Sequence, residues 1–239
     1  MKQIYITGAS KGLGKALAEA YLKDGHSVIG MSRTKSVEHK NYQHIEIDLS
    51  VADSLAAFSF DLSDQFEEYI LINNAGSLGE IKPLGNWTVK GLSALYQLNV
   101  VTPMFLTNQF YKASCNSDKF KYVLHLGSGA ANSPIDGWAQ YCSSKAALHM
   151  VSQVIEEELK LNSVENFKQR TLSPGVIDTQ MQEQIRNIRS SDFSKKERFV
   201  AYKNNNELAS AENLADKIIR NFINLFEQEG SIQYLRNYS

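Results

Sequence analysis

Thr7-Gly8-Ala9-Ser10-Lys11-Gly12-Leu13-Gly14 is the stretch on which the reading of this chain turns. It follows an apolar run, Ile4-Tyr5-Ile6, and opens a segment with Leu13, Ala16, Leu17, Ala20 and Tyr21 at helical spacing. Strand, glycine turn and helix in that order make a phosphate cradle. Gly8 allows the tight turn, Gly12 lets the backbone approach a pyrophosphate, and Gly14 permits close packing of helix on sheet. The helix start offers free N–H donors and the positive end of its dipole to the anion. Asp24-Gly25 supplies the stop signal.

Beyond this unit, short β-type runs continue at 27–31, 44–47, 69–72, 122–126 and 169–172, with helical patterns near 88–98, 99–114, 139–160 and 211–227. Continuous apolar strands separated by helices predict an α/β fold, a doubly wound parallel sheet of Rossmann type covered on both faces. The connection between the strands around 28 and 45 is too short for more than a vestigial crossover helix. Residues 1–239 read as a single dinucleotide-binding domain with no repeat or linker. The polar stretch 178–206 breaks the rhythm and reads as a substrate-side helical flap.

The bulk composition excludes several function classes. With 239 residues, 43% hydrophobic and 21% charged, the chain is that of an ordinary globule burying roughly 70–75% of its unfolded surface. A net charge of −1 leaves no electrostatic footprint for nucleic acid or an anionic membrane. Cys115 and Cys142, the two cysteines, suggest no disulfide framework, and the five histidines include no pair at metal-ligand spacing. No metal is expected. Met1-Lys2-Gln3 enters a strand at once, without a signal peptide, and no apolar run approaches spanning length. The expected location is the reducing cytoplasm.

The glycine turn implies a dinucleotide, and the region about twenty residues on says which one. It reads Met31-Ser32-Arg33-Thr34-Lys35, with no acid before Glu38 to accept a ribose 2′-OH. Arg33, with Ser32 beside it and Lys11 in the turn, suits a 2′-phosphate instead. NADP(H) is therefore expected over NAD(H).

Of the eleven tyrosines, only Tyr141 is followed four residues later by a lysine, Lys145. That spacing puts both on one helical face, where an ammonium would draw a phenol down from near 10 into general acid/base range. Ser128 ends the apolar run before them. His125, inside that run, reads as structural. Cys142 reads as a small buried residue, and Trp138 and Met181 as candidates for the substrate pocket or for core packing.

Taken in order, Thr7-x-x-x-Gly12-x-Gly14, Asn73-Asn74-Ala75-Gly76, Asn99, Ser128, Tyr141 with Lys145, and Pro174-Gly175 with Thr179 resemble the short-chain dehydrogenase/reductase family over essentially the whole chain. The resemblance implies catalytic roles for Asn99, Ser128, Tyr141 and Lys145. It places Gly8, Ser10, Lys11, Gly12, Leu13, Gly14, Ser32 and Arg33 along the phosphates, and Asp48 and Leu49 at the adenine. Asn74, Ala75 and Gly76 would line the cofactor cleft with Tyr141 and Lys145, while Pro174, Gly175, Ile177 and Thr179 would meet the nicotinamide carboxamide. Asn99 would hold a water linking Lys145 to solvent. By the same resemblance, helices 99–114 and 139–160 would form the four-helix interface of a homodimer, with a tetramer as the alternative.

Within the family, three segments resemble sepiapterin reductase and the bacterial benzil reductases: 73–79, 137–142 and 173–182. That subgroup implies NADPH-dependent reduction of one carbonyl of a vicinal dicarbonyl, a small-molecule substrate. Sepiapterin reductases hold the pterin with a carboxylate near the C-terminus, but Ser231 to Ser239 contain no acid. A smaller, apolar dicarbonyl is expected. The alternatives are a 3-oxoacyl-thioester reductase on the same fold and a non-catalytic dinucleotide sensor.

Overall fold

Residues 1–62, 65–189 and 192–239 are described in the computed structural model. β1 (Lys2–Thr7) runs into α1 (Gly12–Lys23), then β2 (Ser27–Ser32), β3 (Tyr42–Glu46), the short α2 (Ala52–Ala56) and β4 (Glu68–Asn73). α3 (Val89–Tyr96) passes through a π-helical turn (Gln97–Val101) into α4 (Thr102–Ser114). β5 (Phe120–Leu126), a 3-10 turn (Gly129–Ala131), α5 (Ala139–Leu161) and β6 (Phe167–Ser173) follow. The chain ends with α6 (Gln180–Asn187), α7 (Lys196–Asn204), α8 (Ala211–Arg220), α9 (Phe222–Glu227) and β7 (Ile232–Tyr234).

The strands form one sheet in the order β3-β2-β1-β4-β5-β6-β7, each pair parallel. Because side chains alternate across a strand, each central strand feeds two cores. Ile4 and Ile6 of β1, Ile70 and Ile72 of β4, and Tyr122 and Leu124 of β5 meet Leu17 of α1, Ile218 of α8 and Leu225 of α9. Tyr5, Leu71 and Val123 point the other way, onto Leu106 and Phe110 of α4. Each such side chain contributes about 1.5–3 kcal/mol when fully buried, which is why these runs read as nearly continuous hydrophobes. The doubly wound, single-domain expectation holds. No helix among the described residues is long and apolar enough to cross a membrane.

Several expectations shift in detail. No helix links β2 to β3, as the short connection required. The helical patterns near 88–98 and 99–114 form one rod interrupted by the π-helical turn, and Asn99 sits inside that turn. The Thr102 hydroxyl donates to the Gln97 carbonyl at 2.8 Å and lies 2.7 Å from the Leu49 carbonyl. Pro103 has no N–H to give the Asn99 carbonyl, so the ordinary helical ladder breaks there. The pattern at 211–227 divides at Asn221, whose amide reaches the Lys217 and Ser239 carbonyls at 3.0 and 3.1 Å. β7 carried too short a pattern to be read from sequence. The stretch 178–206 contains α6 and α7, while its residues 190 and 191 lie outside the described residues.

Candidate active site

Strand order reverses between β1 and β4, and a crevice opens beyond their carboxyl ends at such a switch point. Two loops meet there, the glycine turn after β1 and Asn73–Gly76 after β4. Asn74 stitches them: its Nδ2 donates to the Thr7 and Gly8 carbonyls at 2.9 and 3.2 Å. The Thr7 hydroxyl accepts from the Asn74 and Ala75 N–H groups at 2.9 and 3.0 Å. Thr7 was not among the sequence candidates, although its place at the head of the turn was visible.

The geometry of this turn fits a dinucleotide. Gly8 has φ +69° and Gly12 φ +54°, in the left-handed region that favours glycine. A Cβ at Gly14 would lie 2.3 Å from the Gly8 carbonyl oxygen and 2.4 Å from Asn74 Nδ2, so only glycine lets α1 start this close. Lys11 occupies the N-cap without a side-chain cap bond, which leaves the first-turn N–H groups of a twelve-residue helix for an anion. Ser10 is half-buried and Leu13 is buried behind them.

At the carboxyl end of β2, Ser32 is buried with its hydroxyl on the Thr34 carbonyl at 2.9 Å, and Arg33 is exposed. Asp48 accepts from the Ser50 hydroxyl and N–H at 2.6 and 2.9 Å. Those bonds hold its carboxyl below the usual range, and the Arg33 charge adds to the effect. Leu49 is buried beside it. The Lys11 ammonium instead donates to Gln180 Oε1 at 2.6 Å, spanning the crevice to α6. Lys35 pairs with Glu38 at 2.8 Å. Arg33 is thus the cation of this group whose side chain carries no ion pair or hydrogen bond among those described.

At the other end, Gly175 follows Pro174 with φ +92°. Ile177 bridges to Ala209, and Thr179 Cγ2 lies 3.4 Å from where a Cβ of Gly12 would stand. The Asp178–Lys203 ion pair, at 2.5 Å, ties this segment to α7.

Ser128, Tyr141, Lys145 and Asn99 converge beside Gly76. A Cβ on Gly76 would lie 3.4 Å from Asn99 Oδ1 and 3.8 Å from Lys145 Nζ. The hydroxyls of Ser128 and Tyr141 share a hydrogen bond, and Ser128 Oγ also accepts from Ala130 N–H at 3.2 Å, capping the 3-10 turn. Lys145 Nζ donates to the Leu126 carbonyl at 2.8 Å and lies 5.8 Å from the Tyr141 ring centre. Asn99 is fully engaged: it accepts from Ser77 N–H at 2.9 Å and donates to Ser77 O and Ser144 Oγ at 2.8 and 3.1 Å. It therefore ties the β4 loop to α5 one residue before Lys145. Neither Ser77 nor Ser144 stood out in the sequence, because nothing in their spacing signals a contact made across three elements.

One expectation is overturned. The sequence led us to expect a Tyr141 phenol depressed by Lys145, but burial pushes it up, offset in part by the Ser128 hydrogen bond. Burial also brings Lys145 down to about 8, so the ammonium is itself weakened. Desolvation is the largest cause of the shift for both groups. A phenol that stays protonated is a proton donor, which suits reduction.

His125 behaves as a structural residue: it is fully buried, brought down to about 3 by burial and then by Lys145, and shares a 3.2 Å hydrogen bond with Asn73. Trp138 meets Tyr141 edge to face, with ring centres 5.6 Å apart. Phe193, between α6 and α7, and Phe199, on α7, pack on Trp138 at 5.5 Å each. Met181 and Cys142 border the same cluster. The flap aromatics were not singled out from sequence, since no periodicity connects them to Trp138.

Comparison with known proteins agrees with this geometry. Residues 2–190 match the family model for short chain dehydrogenase. A benzil reductase ((S)-benzoin forming) of Bacillus subtilis (strain 168) is 38% identical over 230 residues, 92% of each chain. A sepiapterin reductase of Xenopus tropicalis is 30% identical over 199 residues, 74% of each. The crystal structure of the KRED1-Pglu enzyme superposes with a TM-score of 0.80 at 23% identity, over 98% of this chain and 100% of that one.

Proposed function

The chain belongs to the short chain dehydrogenase family, and from that premise we propose that it is an NADPH-dependent carbonyl reductase acting on one carbonyl of a vicinal dicarbonyl. The observation that carries the reaction class is the Ser128–Tyr141 hydroxyl pair with Lys145 beside it, at the mouth of the glycine-turn crevice. The 38% identity to a benzil reductase supports the dicarbonyl. Arg33, exposed where an NAD-type acid would stand, supports the 2′-phosphate. The cofactor, when bound, supplies the hydride.

The chain's own residues do the rest. Ser128 donates a hydrogen bond to the substrate carbonyl oxygen and polarises it. As alkoxide character grows on that oxygen, Tyr141 gives up its phenolic proton to it, and the product is the hydroxyl. Lys145, oriented by the Leu126 carbonyl, stabilises the phenolate that remains. Asn99 keeps the β4 loop and α5 in register around it. Gly8 to Gly14 with Ser32 and Arg33 hold the phosphates, Asp48 and Leu49 the adenine, Asn74 to Gly76 the cleft wall, and Pro174 to Thr179 the carboxamide end.

The 178–206 stretch acts in this reading as a flap over Trp138 and Met181 that excludes water. Exposed Met104 on α4 and Met150 and Val154 on α5 support a homodimer through those helices.

The test compares kcat/KM for benzil, sepiapterin and an acetoacetyl thioester, each with NADPH and with NADH. Benzil with NADPH should lead. A leading thioester would transfer the assignment to oxoacyl reduction, and NADPH binding without any turnover would favour a dinucleotide sensor.

A further inference from the structure

The two tryptophans differ in one respect that bears on substrate choice. Trp87 donates its indole N–H to the Lys82 carbonyl at 3.0 Å. The Trp138 N–H is buried and has no acceptor among the described residues. A buried donor without a partner costs about 1–3 kcal/mol, and native proteins retain few of them. This one stands one helical turn before Tyr141, with the two rings in edge-to-face contact at 5.6 Å and 84°. Tyr141 and Trp138 are covered to nearly the same degree, 7% and 5% exposed, beside the same flap aromatics. Both rings therefore lie under one apolar cover.

We propose that the Trp138 indole N–H is the hydrogen-bond donor to the second, non-reacting carbonyl of a vicinal dicarbonyl substrate, making Trp138 a specificity-determining residue. This rests on the dicarbonyl reading above and adds the group that tells a dicarbonyl from a monoketone. The two oxygens of a vicinal dicarbonyl sit on adjacent carbons. Ser128 and Tyr141 serve the one that becomes the hydroxyl, and a donor on the adjoining ring serves the other. That bond withdraws electron density from the shared carbon–carbon unit and makes the reacting carbon more electrophilic. A monoketone leaves the N–H unpaired in a closed site, the situation that penalises an analogue lacking the matching group.

The experiment compares benzil with deoxybenzoin, in which one carbonyl is a methylene, for the wild type and for Trp138→Phe. The variant keeps an aromatic ring and removes the N–H. Its kcat/KM for benzil should fall about tenfold to a hundredfold, the equivalent of one lost hydrogen bond, while the value for deoxybenzoin holds or rises, because the variant no longer leaves an N–H unpaired. The deoxybenzoin rate is the internal control for folding. If the phenylalanine variant does not fold, benzothienylalanine at position 138 replaces the N–H by sulfur at constant shape. An equal loss on both substrates would reduce Trp138 to packing and overturn the proposal, as would an unchanged ratio. A wild type that reduces benzil no better than deoxybenzoin would overturn it while leaving the reductase reading intact. A wild type that reduces neither would remove that reading, and this proposal with it.

Discussion

The Lys145 ammonium lies 5.8 Å from the centre of the Tyr141 ring, yet its hydrogen bond goes to the Leu126 carbonyl, at 2.8 Å. The end of β5 therefore aims the lysine, and the phenol is left with Ser128 as its hydroxyl partner. Both ionisable groups are desolvated together. That arrangement favours a neutral, proton-bearing tyrosine and a lysine whose charge is costly to keep.

Replacing Tyr141 by Phe removes the proposed proton donor and nothing of the glycine turn. Turnover should fall about 10²–10⁴-fold, the range for loss of a general acid, while NADPH affinity stays nearly unchanged. Fluorescence titration beside steady-state kinetics separates the two, and a fully active variant would sink the assignment.

Lys145 offers a test through stability. Its folded value, about 8, lies below the usual 10.5. Between those limits the unfolded chain binds a proton that the folded chain does not, so stability falls as pH drops from 10.5 to about 8 and then levels off. At pH 7 the buried charge costs on the order of 3 kcal/mol. Lys145→Met should thus be inactive but more resistant to urea at pH 7, with the advantage shrinking toward pH 10. A variant less stable than wild type at pH 7 contradicts this.

His125 is held neutral in the fold, brought from 6.5 down to about 3. Its contribution is present above pH 6.5 and is lost as pH falls toward 3, because the unfolded chain takes up a proton there and the folded chain does not. His125→Asn should flatten the pH dependence of urea stability between about pH 6 and pH 4 relative to wild type. Parallel curves for the two proteins would show that the imidazole titrates in the folded state after all.

Arg33→Asp places an acid where the 2′-phosphate would lie. NADPH should weaken about tenfold to a hundredfold, the equivalent of one charge-assisted hydrogen bond, with NADH affected little or improved. Isothermal titration with both dinucleotides reads the ratio. A preference for NADPH that survives unchanged would remove Arg33 from phosphate recognition.

The parts of the site that were legible in advance are those written in local spacing. The glycine turn, the Tyr141–Lys145 interval and the short β2–β3 connection each act within a few residues of themselves. The hydrogen bonds that Thr7 accepts were not legible, nor were Ser77, Ser144, Phe193 and Phe199, because each depends on a contact with a residue far away in the chain. Asn99 lies between the two cases. Its presence was visible, but the π-helical turn that holds it depends on Thr102 reaching Leu49 and on Pro103 withholding an N–H.

Continuous apolar runs separated by helical patterns determined the parallel sheet, and glycine positions the tight turn after β1, since both are properties of consecutive residues. The sign of the Tyr141 shift was decided only in three dimensions. Proximity to Lys145 argued for a lower value, but burial of the phenol is the largest cause and raises it. The unpaired Trp138 N–H is of the same kind. Sequence names a tryptophan, and only the packed molecule shows that no described residue accepts its proton.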